Sequence, residues 1–254
     1  MRSEHERSAR ATPIAAPAYG VDSPAAAAAP RPPAPDAPLR PRSAVRGALG
    51  HAPFLLAAAG ILATDSTILA GVWFALCRLG YVGYVGYALR AESEHAALSR
   101  RFGAEGAWHR FKDRAAPLML GDSIALVVLC LVTSGTFESP GPAWLGLAAG
   151  ALLVVLGIGV KTWAAASLDE GTFYWRDFFV PREHCSVSAA GPYRWLSDPM
   201  YSLGYAHAYG FALLLRSGPG LAASAFAQAA ILLLAWRVER PHLRRRLGAA
   251  ADGS

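Results

Sequence analysis

Ile68-Leu69-Ala70-Gly71-Val72-Trp73-Phe74-Ala75-Leu76-Cys77-Arg78-Leu79-Gly80-Tyr81-Val82-Gly83-Tyr84-Val85-Gly86-Tyr87-Ala88-Leu89 carries a single charge, Arg78, in an otherwise uncharged and mostly apolar run. A helix of this length rises about 33 Å, enough to cross the roughly 30 Å hydrocarbon core of a bilayer. The run therefore predicts a membrane-spanning helix. Within it Gly80, Gly83 and Gly86 alternate with Tyr81, Tyr84 and Tyr87. A spacing of three sets the glycines along one side, where a neighbouring helix is expected to pack closely.

Working outward, five more apolar stretches fall at about 46–63, 117–135, 143–165, 199–216 and 221–237. The last two are short and joined by Ser217 to Gly220, which predicts a tight helical hairpin. Basic residues alternate between connections. Arg40, Arg42 and Arg46 precede the first stretch. Arg90, Arg100, Arg101, Arg110, Lys112 and Arg114 fill the second connection, and Arg176, Arg182 and Arg194 the fourth. Arg240, Arg244, Arg245 and Arg246 follow the last stretch, while the first and third connections hold none. By the positive-inside rule both termini are expected on the cytoplasmic side. The expected fold is an all-α integral membrane bundle of about six transmembrane helices, ending in a hairpin, with interfacial cytoplasmic segments.

Composition agrees. Of 254 residues 54% are hydrophobic and 17% charged, too apolar for an ordinary soluble domain. The net charge of +6 sits in Arg clusters beside apolar runs, which favours membrane flanks over nucleic acid. Arg outnumbers Lys 22 to two, and with the abundant Ala this suggests a GC-rich bacterial genome and hence an inner membrane. Cys77 and Cys130 lie in apolar runs and Cys185 in a polar one, so neither a disulfide framework nor a metal site is expected. Residues 1–45 are rich in Ala, Pro and Arg without periodicity and read as a disordered tail. Residues 46–142 read as N-terminal spans around a basic loop, and 143–248 as the functional membrane domain. Arg78, Asp122 and Lys161 are costly in hydrocarbon and are expected to pair or snorkel.

Three polar-aromatic pieces are expected to meet at the cytoplasmic face. The first is Gly171-Thr172-Phe173-Tyr174-Trp175-Arg176-Asp177-Phe178-Phe179. The second is Gly191-Pro192-Tyr193-Arg194-Trp195-Leu196-Ser197-Asp198-Pro199-Met200-Tyr201. The third is Glu239-Arg240-Pro241-His242 with its Arg-rich continuation. Asp198 before Pro199 reads as a helix N-cap with proline at the first helical position. Singly, each piece reads as an aromatic belt or a cap. In this order, they read as a site.

The pattern resembles the membrane-embedded methyltransferases that act on phospholipids and on isoprenylated cysteines. Over residues 143–248 it is most similar to the phosphatidylethanolamine N-methyltransferases, whose markers are Gly-Thr-Tyr/Phe, Asp-Tyr-Phe, Asn-Pro-Met-Tyr and Glu-Glu-Pro-Phe. The resemblance implies S-adenosyl-L-methionine at the cytoplasmic side, held by Tyr193, Asp198, Pro199, Tyr201, Gly204 and Glu239, with Gly171 and Asp177 from upstream. This sequence departs from the pattern at four places. Asp198 stands for Asn or His, and Arg240 for the second Glu. Gly204 lies one residue late, and one extra residue separates Phe173 from Asp177.

The residue types suit such chemistry. A sulfonium donor is attracted to aromatic faces and a carboxylate, each cation–π contact contributing about 0.5–2 kcal/mol. Tyr201, Tyr205 and Tyr209 recur every fourth residue and are expected on one helix face. Glu239, Asp177 and Asp198 are the candidate proton acceptors, and Arg176, Arg182 and Arg194 suit a lipid phosphate. His207 reads as a packed histidine. The expected reaction is methyl transfer to a membrane lipid, foremost the amine of phosphatidylethanolamine. The rival enzyme is a carboxyl, O- or S-methyltransferase on a hydrophobic small molecule, and the rival of another class a non-catalytic membrane protein.

Overall fold

A computed structural model describes residues 41–138, 140–168, 170–180 and 191–245. All the regular elements among them are helical. They are α1 (Pro41–Thr64), α2 (Thr67–His95), α3 (Ser99–Phe102), α4 (Ala104–Val132), α5 (Ala143–Ala166), α6 (Glu170–Phe173), α7 (Ala206–Leu214) and α8 (Gly218–Leu234), with short 3₁₀ turns between α6 and α7. Most of the expected tail, together with Arg182, Cys185 and Arg246, lies outside the described residues.

The all-α membrane bundle is as expected, but among the described residues four helices rather than six are long and apolar enough to cross a membrane. They are α2, α4, α5, and α8 with its continuation to Arg245. The difference arises at two places. The described side chains of α1 begin at Gly50, and Gly50–Thr64 is a shorter apolar helix. The stretch 199–216 is not one helix either: residues 198–205 form turns, and α7 has nine residues. At 1.5 Å per residue α7 rises about 14 Å, half of a bilayer core. The hairpin itself forms where expected. The Ser217 hydroxyl caps α8 by accepting from Gly220 N–H at 2.8 Å, and it meets the Thr133 hydroxyl at 2.6 Å.

The packing is that of a protein dissolved in lipid. On α5 the buried residues are Gly150, Gly157 and Ala164. Trp144, Leu152 and Val155 are left outside, 64%, 67% and 71% exposed. Small residues face in and large apolar ones face out because lipid tails solvate Leu as well as a protein core does. The small stripe lets α5 and α7 touch backbone to backbone. A Cβ on Gly157 would run into the His207 backbone, and one on Gly210 would lie 2.6 Å from the Gly150 carbonyl oxygen.

The glycines of α2 behave otherwise. Nothing lies within 4 Å of a Cβ built on Gly80 or Gly83, and of the three only Gly86 meets a neighbour, Leu234, at 3.0 Å. The buried face of α2 includes Phe74, Arg78, Tyr81, Val85, Leu89 and Glu92. Gly80 and Gly83 face outward, and the close packing expected of the three glycines is made by Gly86 alone, against α8. Arg78 is 1% exposed and pairs with Asp122 of α4 at 3.3 Å. This is the pairing expected of charges at such depth.

The backbone contact of α5 with α7 makes a two-sided prediction. Gly157→Ala should destabilise the protein by about 1–3 kcal/mol through overpacking, while Gly80→Ala should cost nothing. Thermal unfolding of both variants in detergent checks this, and equal midpoints would contradict the packing.

Candidate functional site

Two backbone irregularities aim the site. Pro241 lacks an N–H, and in a regular helix its ring collides with the carbonyl four residues back. Just upstream the chain makes a π turn over Ala235–Glu239, in which Arg240 N–H reaches the Ala235 carbonyl. Such a turn holds one extra residue and rotates whatever follows. Glu239 and His242 come to lie on the wall of a cavity of about 550 Å³. The second irregularity is Trp175, which adopts a left-handed conformation at φ 52°. It falls where the chain carries its extra residue between Phe173 and Asp177.

The Glu239 carboxylate is the meeting point. Its Oε1 accepts from Trp175 Nε1 at 2.9 Å and from the Tyr201 hydroxyl at 3.1 Å, which leaves Oε2 for the cavity. Burial, reinforced by Glu239, raises the Tyr201 hydroxyl well above its ordinary pKa, so it stays a donor. Tyr193, also on the wall, is pushed up to about 12 by desolvation and then by Glu239 and Asp198. Asp177, Asp198 and Tyr205 complete the set of expected residues that line the cavity.

Aromatic packing holds the upstream segment. Phe111 of α4 meets Trp175 edge-on at 6.0 Å and Phe179 at 5.1 Å. Trp108 Nε1 donates to the Tyr174 carbonyl at 3.2 Å. His242 stacks on Phe178 with ring centres 3.9 Å apart, and its Nδ1 lies 2.7 Å from the Ser93 hydroxyl. These contacts clamp the chain beyond α8 to α2 and to the Arg176–Phe178 turn.

Other expected residues stand back. Gly171 is buried beside Thr172 and Phe173, which do reach the cavity. Pro199 is fully buried behind the wall. Gly204 backs onto Lys161, where a Cβ would lie 3.5 Å from that side chain. Arg176 is paired with Glu105, Arg194 lies over the Trp195 ring, and neither lines the cavity.

The expected helix start at Pro199 is corrected as well. The Asp198 carbonyl closes a turn, accepting from the N–H groups of Tyr201 and Ser202 at 3.2 and 2.9 Å. Its side chain accepts from Arg240 at 2.5 Å instead of capping a helix. Without a continuous helix the tyrosines do not share one face. Tyr201 reaches Glu239, Tyr205 accepts from Arg78, and Tyr209 donates to Gln228 at 2.8 Å. His207 meets the Gly204 carbonyl at 2.5 Å through Nδ1, as a packed histidine would, and its ring also lines the cavity.

Two partners escape a reading of the sequence. Trp175 reads as part of an aromatic belt, and nothing in its spacing marks it as the donor to Glu239. Gln228 of α8 donates through Nε2 to the Tyr201 and Ser202 carbonyls at 3.0 and 3.3 Å. A lone glutamine inside an apolar helix is the available signal, since a buried amide needs partners.

The ion pair between Asp198 and Arg240 joins two of the departures from the family pattern, so each residue answers the other. Both side chains are partly exposed, which limits the pair to about 0.2–1 kcal/mol. A double-mutant cycle of Asp198→Asn and Arg240→Gln, read by thermal unfolding in detergent, should give a coupling in that range that shrinks with added salt. Zero coupling at low salt would contradict the pairing.

Residues 145–250 match the family model for phospholipid methyltransferases. The chain is 30% identical over 149 residues to the phosphatidylethanolamine N-methyltransferase of Clavispora lusitaniae, covering 56% of this chain and 17% of that protein. The phosphatidylethanolamine N-methyltransferase of Phaeosphaeria nodorum is 30% identical over 185 residues, 67% of this chain and 19% of the relative. That of Schizosaccharomyces japonicus is 36% identical over 104 residues, 41% and 12%. The chain thus spans about a fifth or less of the length of these curated relatives. No solved structure matches it. The part of the chain that builds the Glu239 side of the cavity is therefore similar to the phospholipid methyltransferases, the resemblance that its Gly-Pro-Tyr, Pro-Met-Tyr and Glu-Arg-Pro motifs carry.

Proposed function

We propose that the chain is an integral membrane methyltransferase that moves a methyl group from S-adenosylmethionine to the amine of phosphatidylethanolamine or its methylated derivatives. The observation that carries this reading is the Glu239 carboxylate, fixed by Trp175 and Tyr201 on the wall of the cavity. The names of the relatives supply the substrate class.

The residues present fit the donor. A cavity of about 550 Å³ falls within the roughly 300–1,000 Å³ typical of sites that enclose a small molecule. Its wall offers Tyr193 and Tyr201 and the carboxylates Asp177 and Glu239, with Asp198 paired to Arg240, while Tyr205 lies beside Arg78 and Lys161. That lining favours a cation. When bound, S-adenosylmethionine would supply an electrophilic methyl group on a sulfonium centre.

The chain's own residues then have separable tasks. Glu239 Oε2 binds a positively charged group, while Trp175 and Tyr201 stop the carboxylate from rotating. Gln228 holds the Tyr201 turn from behind, so the phenol keeps its aim. Fixing two reactants in line supplies much of the acceleration in a displacement of this kind. The amine must lose a proton to attack, and Asp177, Asp198 and Glu239 are the acceptors on the wall. The Arg pattern supports a cytoplasmic site and cytoplasmic termini, which requires α1 and the turns with α7 to carry the chain across as well, and the composition supports a bacterial inner membrane.

Expression in a host supplied with methyl-labelled methionine tests the reading. Label should appear in mono-, di- or trimethylated ethanolamine lipids of cells making the wild-type protein. It should fall by at least about ten-fold with Glu239→Gln, the cost of losing a contact to a charged group. Label confined to a phosphate-free hydrophobic compound would overturn the choice of acceptor.

A further inference from the structure

The cavity has a second pole that lies outside the three motifs. Arg78 on α2, Asp122 on α4 and Lys161 on α5 all line it, and the first two precede the stretch that matches the family. Arg78 pairs with Asp122 and donates to the Tyr205 hydroxyl. The Arg78 guanidinium and the Lys161 ammonium each lie 5.9 Å from the centre of the Tyr205 ring. Two cations against one carboxylate leave one positive charge uncompensated. Lys161 carries most of it: among the described residues its ammonium makes no hydrogen bond and no ion pair within 4 Å, the Tyr205 ring lies beside it, and Asp122, held by Arg78, acts on it only from farther away.

An unpaired cation at membrane depth is costly, so a site that retains one is suited to an anion. One donor there, Arg78 Nε, is buried without a hydrogen-bond acceptor, while the Asp122 carboxylate beside it is held by Arg78 and would face any anion from the far side of that guanidinium. A structural ion pair alone would require neither the extra ammonium nor the space beside it.

The opposite end of the cavity is acidic, with Asp177, Asp198 and Glu239. Tyr201 bonds Glu239 and Tyr205 bonds Arg78, so the two poles are separated by one short turn. The cavity also has a wall on the outer side of α4. Ser123 and Val127 are exposed there, one turn apart within a membrane-spanning helix, and both line it. Phe211 of α7 faces the same space. Because these lining residues of α4 are exposed, an apolar chain seated against them would reach lipid.

We propose that Arg78 and Lys161 bind the phosphodiester of a membrane phospholipid whose amine points toward Glu239 and whose acyl chains exit past Val127 and Phe211. Of the arginines expected to hold the phosphate, Arg176 and Arg194 do not line this cavity, and Arg182 lies outside the described residues. The phosphodiester site rests on the methyltransferase reading for the fate of the amine, and stands without it as a lipid-binding site.

The test uses the full chain purified in detergent, with tryptophan fluorescence titrated by a short-chain phosphatidylethanolamine, the corresponding diacylglycerol and inorganic phosphate. Calorimetry with S-adenosylhomocysteine runs in parallel. The wild-type protein should prefer the phospholipid over the diacylglycerol by at least about ten-fold, and inorganic phosphate should not compete. Lys161→Gln should lose most of that preference, Lys161→Arg should keep it, and neither should alter S-adenosylhomocysteine affinity. Should Lys161→Gln fail to insert, the neutral pair Arg78→Gln with Asp122→Asn replaces it and should show the same loss. Equal wild-type binding of both lipids overturns the proposal. So does Lys161→Gln weakening S-adenosylhomocysteine alone, which would give the pole to the carboxylate of the donor, or phosphate binding as tightly as the lipid. Failure of the wild-type protein to bind S-adenosylhomocysteine sinks the methyltransferase reading and leaves the lipid titration to decide this one.

Discussion

A single carboxylate oxygen, Glu239 Oε1, ties together three stretches that are far apart in the chain. Trp175 arrives from the segment after α5, Tyr201 from the turn before α7, and Glu239 from the end of α8. Hydrogen bonds to a charged group contribute about 1.5–3 kcal/mol each, more than most neutral contacts. Remove the carboxylate and an indole N–H and a phenol are left without their partner. The π turn before Pro241 and the left-handed Trp175 are the backbone adjustments that bring the groups together. Strained or irregular backbone at such a point is common where a site must be aimed.

The same turn that supplies Tyr201 strains a rule of membrane proteins, since non-helical backbone exposes carbonyls that lipid cannot satisfy. Here those carbonyls are satisfied from inside the bundle. Gln228 donates to two of them, and His207 meets a third, that of Gly204. The glycines of α5 and α7 let the short helix sit close enough for this arrangement to be enclosed. A half-length helix and a polar turn, which would be a defect in a spanning segment, thereby become the wall of a cavity.

Much of the bundle is legible because lipid imposes length and hydropathy directly on the sequence. The run from Ile68 to Leu89 and the Ser217–Gly220 hairpin form where the residues place them. The convergence of Tyr193, Tyr201, Asp198 and Glu239 is legible through spacing and family likeness. What spacing does not reveal is which side of a helix faces inward. Gly80 and Gly83 have the spacing of a packing face, yet the larger Tyr81, Val85 and Leu89 are the buried ones. The apolar stretch after Pro199 reads as helical because hydropathy cannot see a turn stabilised by a distant glutamine. Asp198 and Arg240 read as two separate losses from a motif, and only their proximity shows one exchange.

The proposed donor site depends most on Glu239 binding a cation through its carboxylate. Calorimetric titration of wild-type and Glu239→Gln protein with S-adenosylhomocysteine and S-adenosylmethionine tests this directly. Wild-type protein should bind both, and the variant should bind each at least about ten-fold more weakly while still inserting into the membrane. Equal affinities in the two proteins would contradict the account.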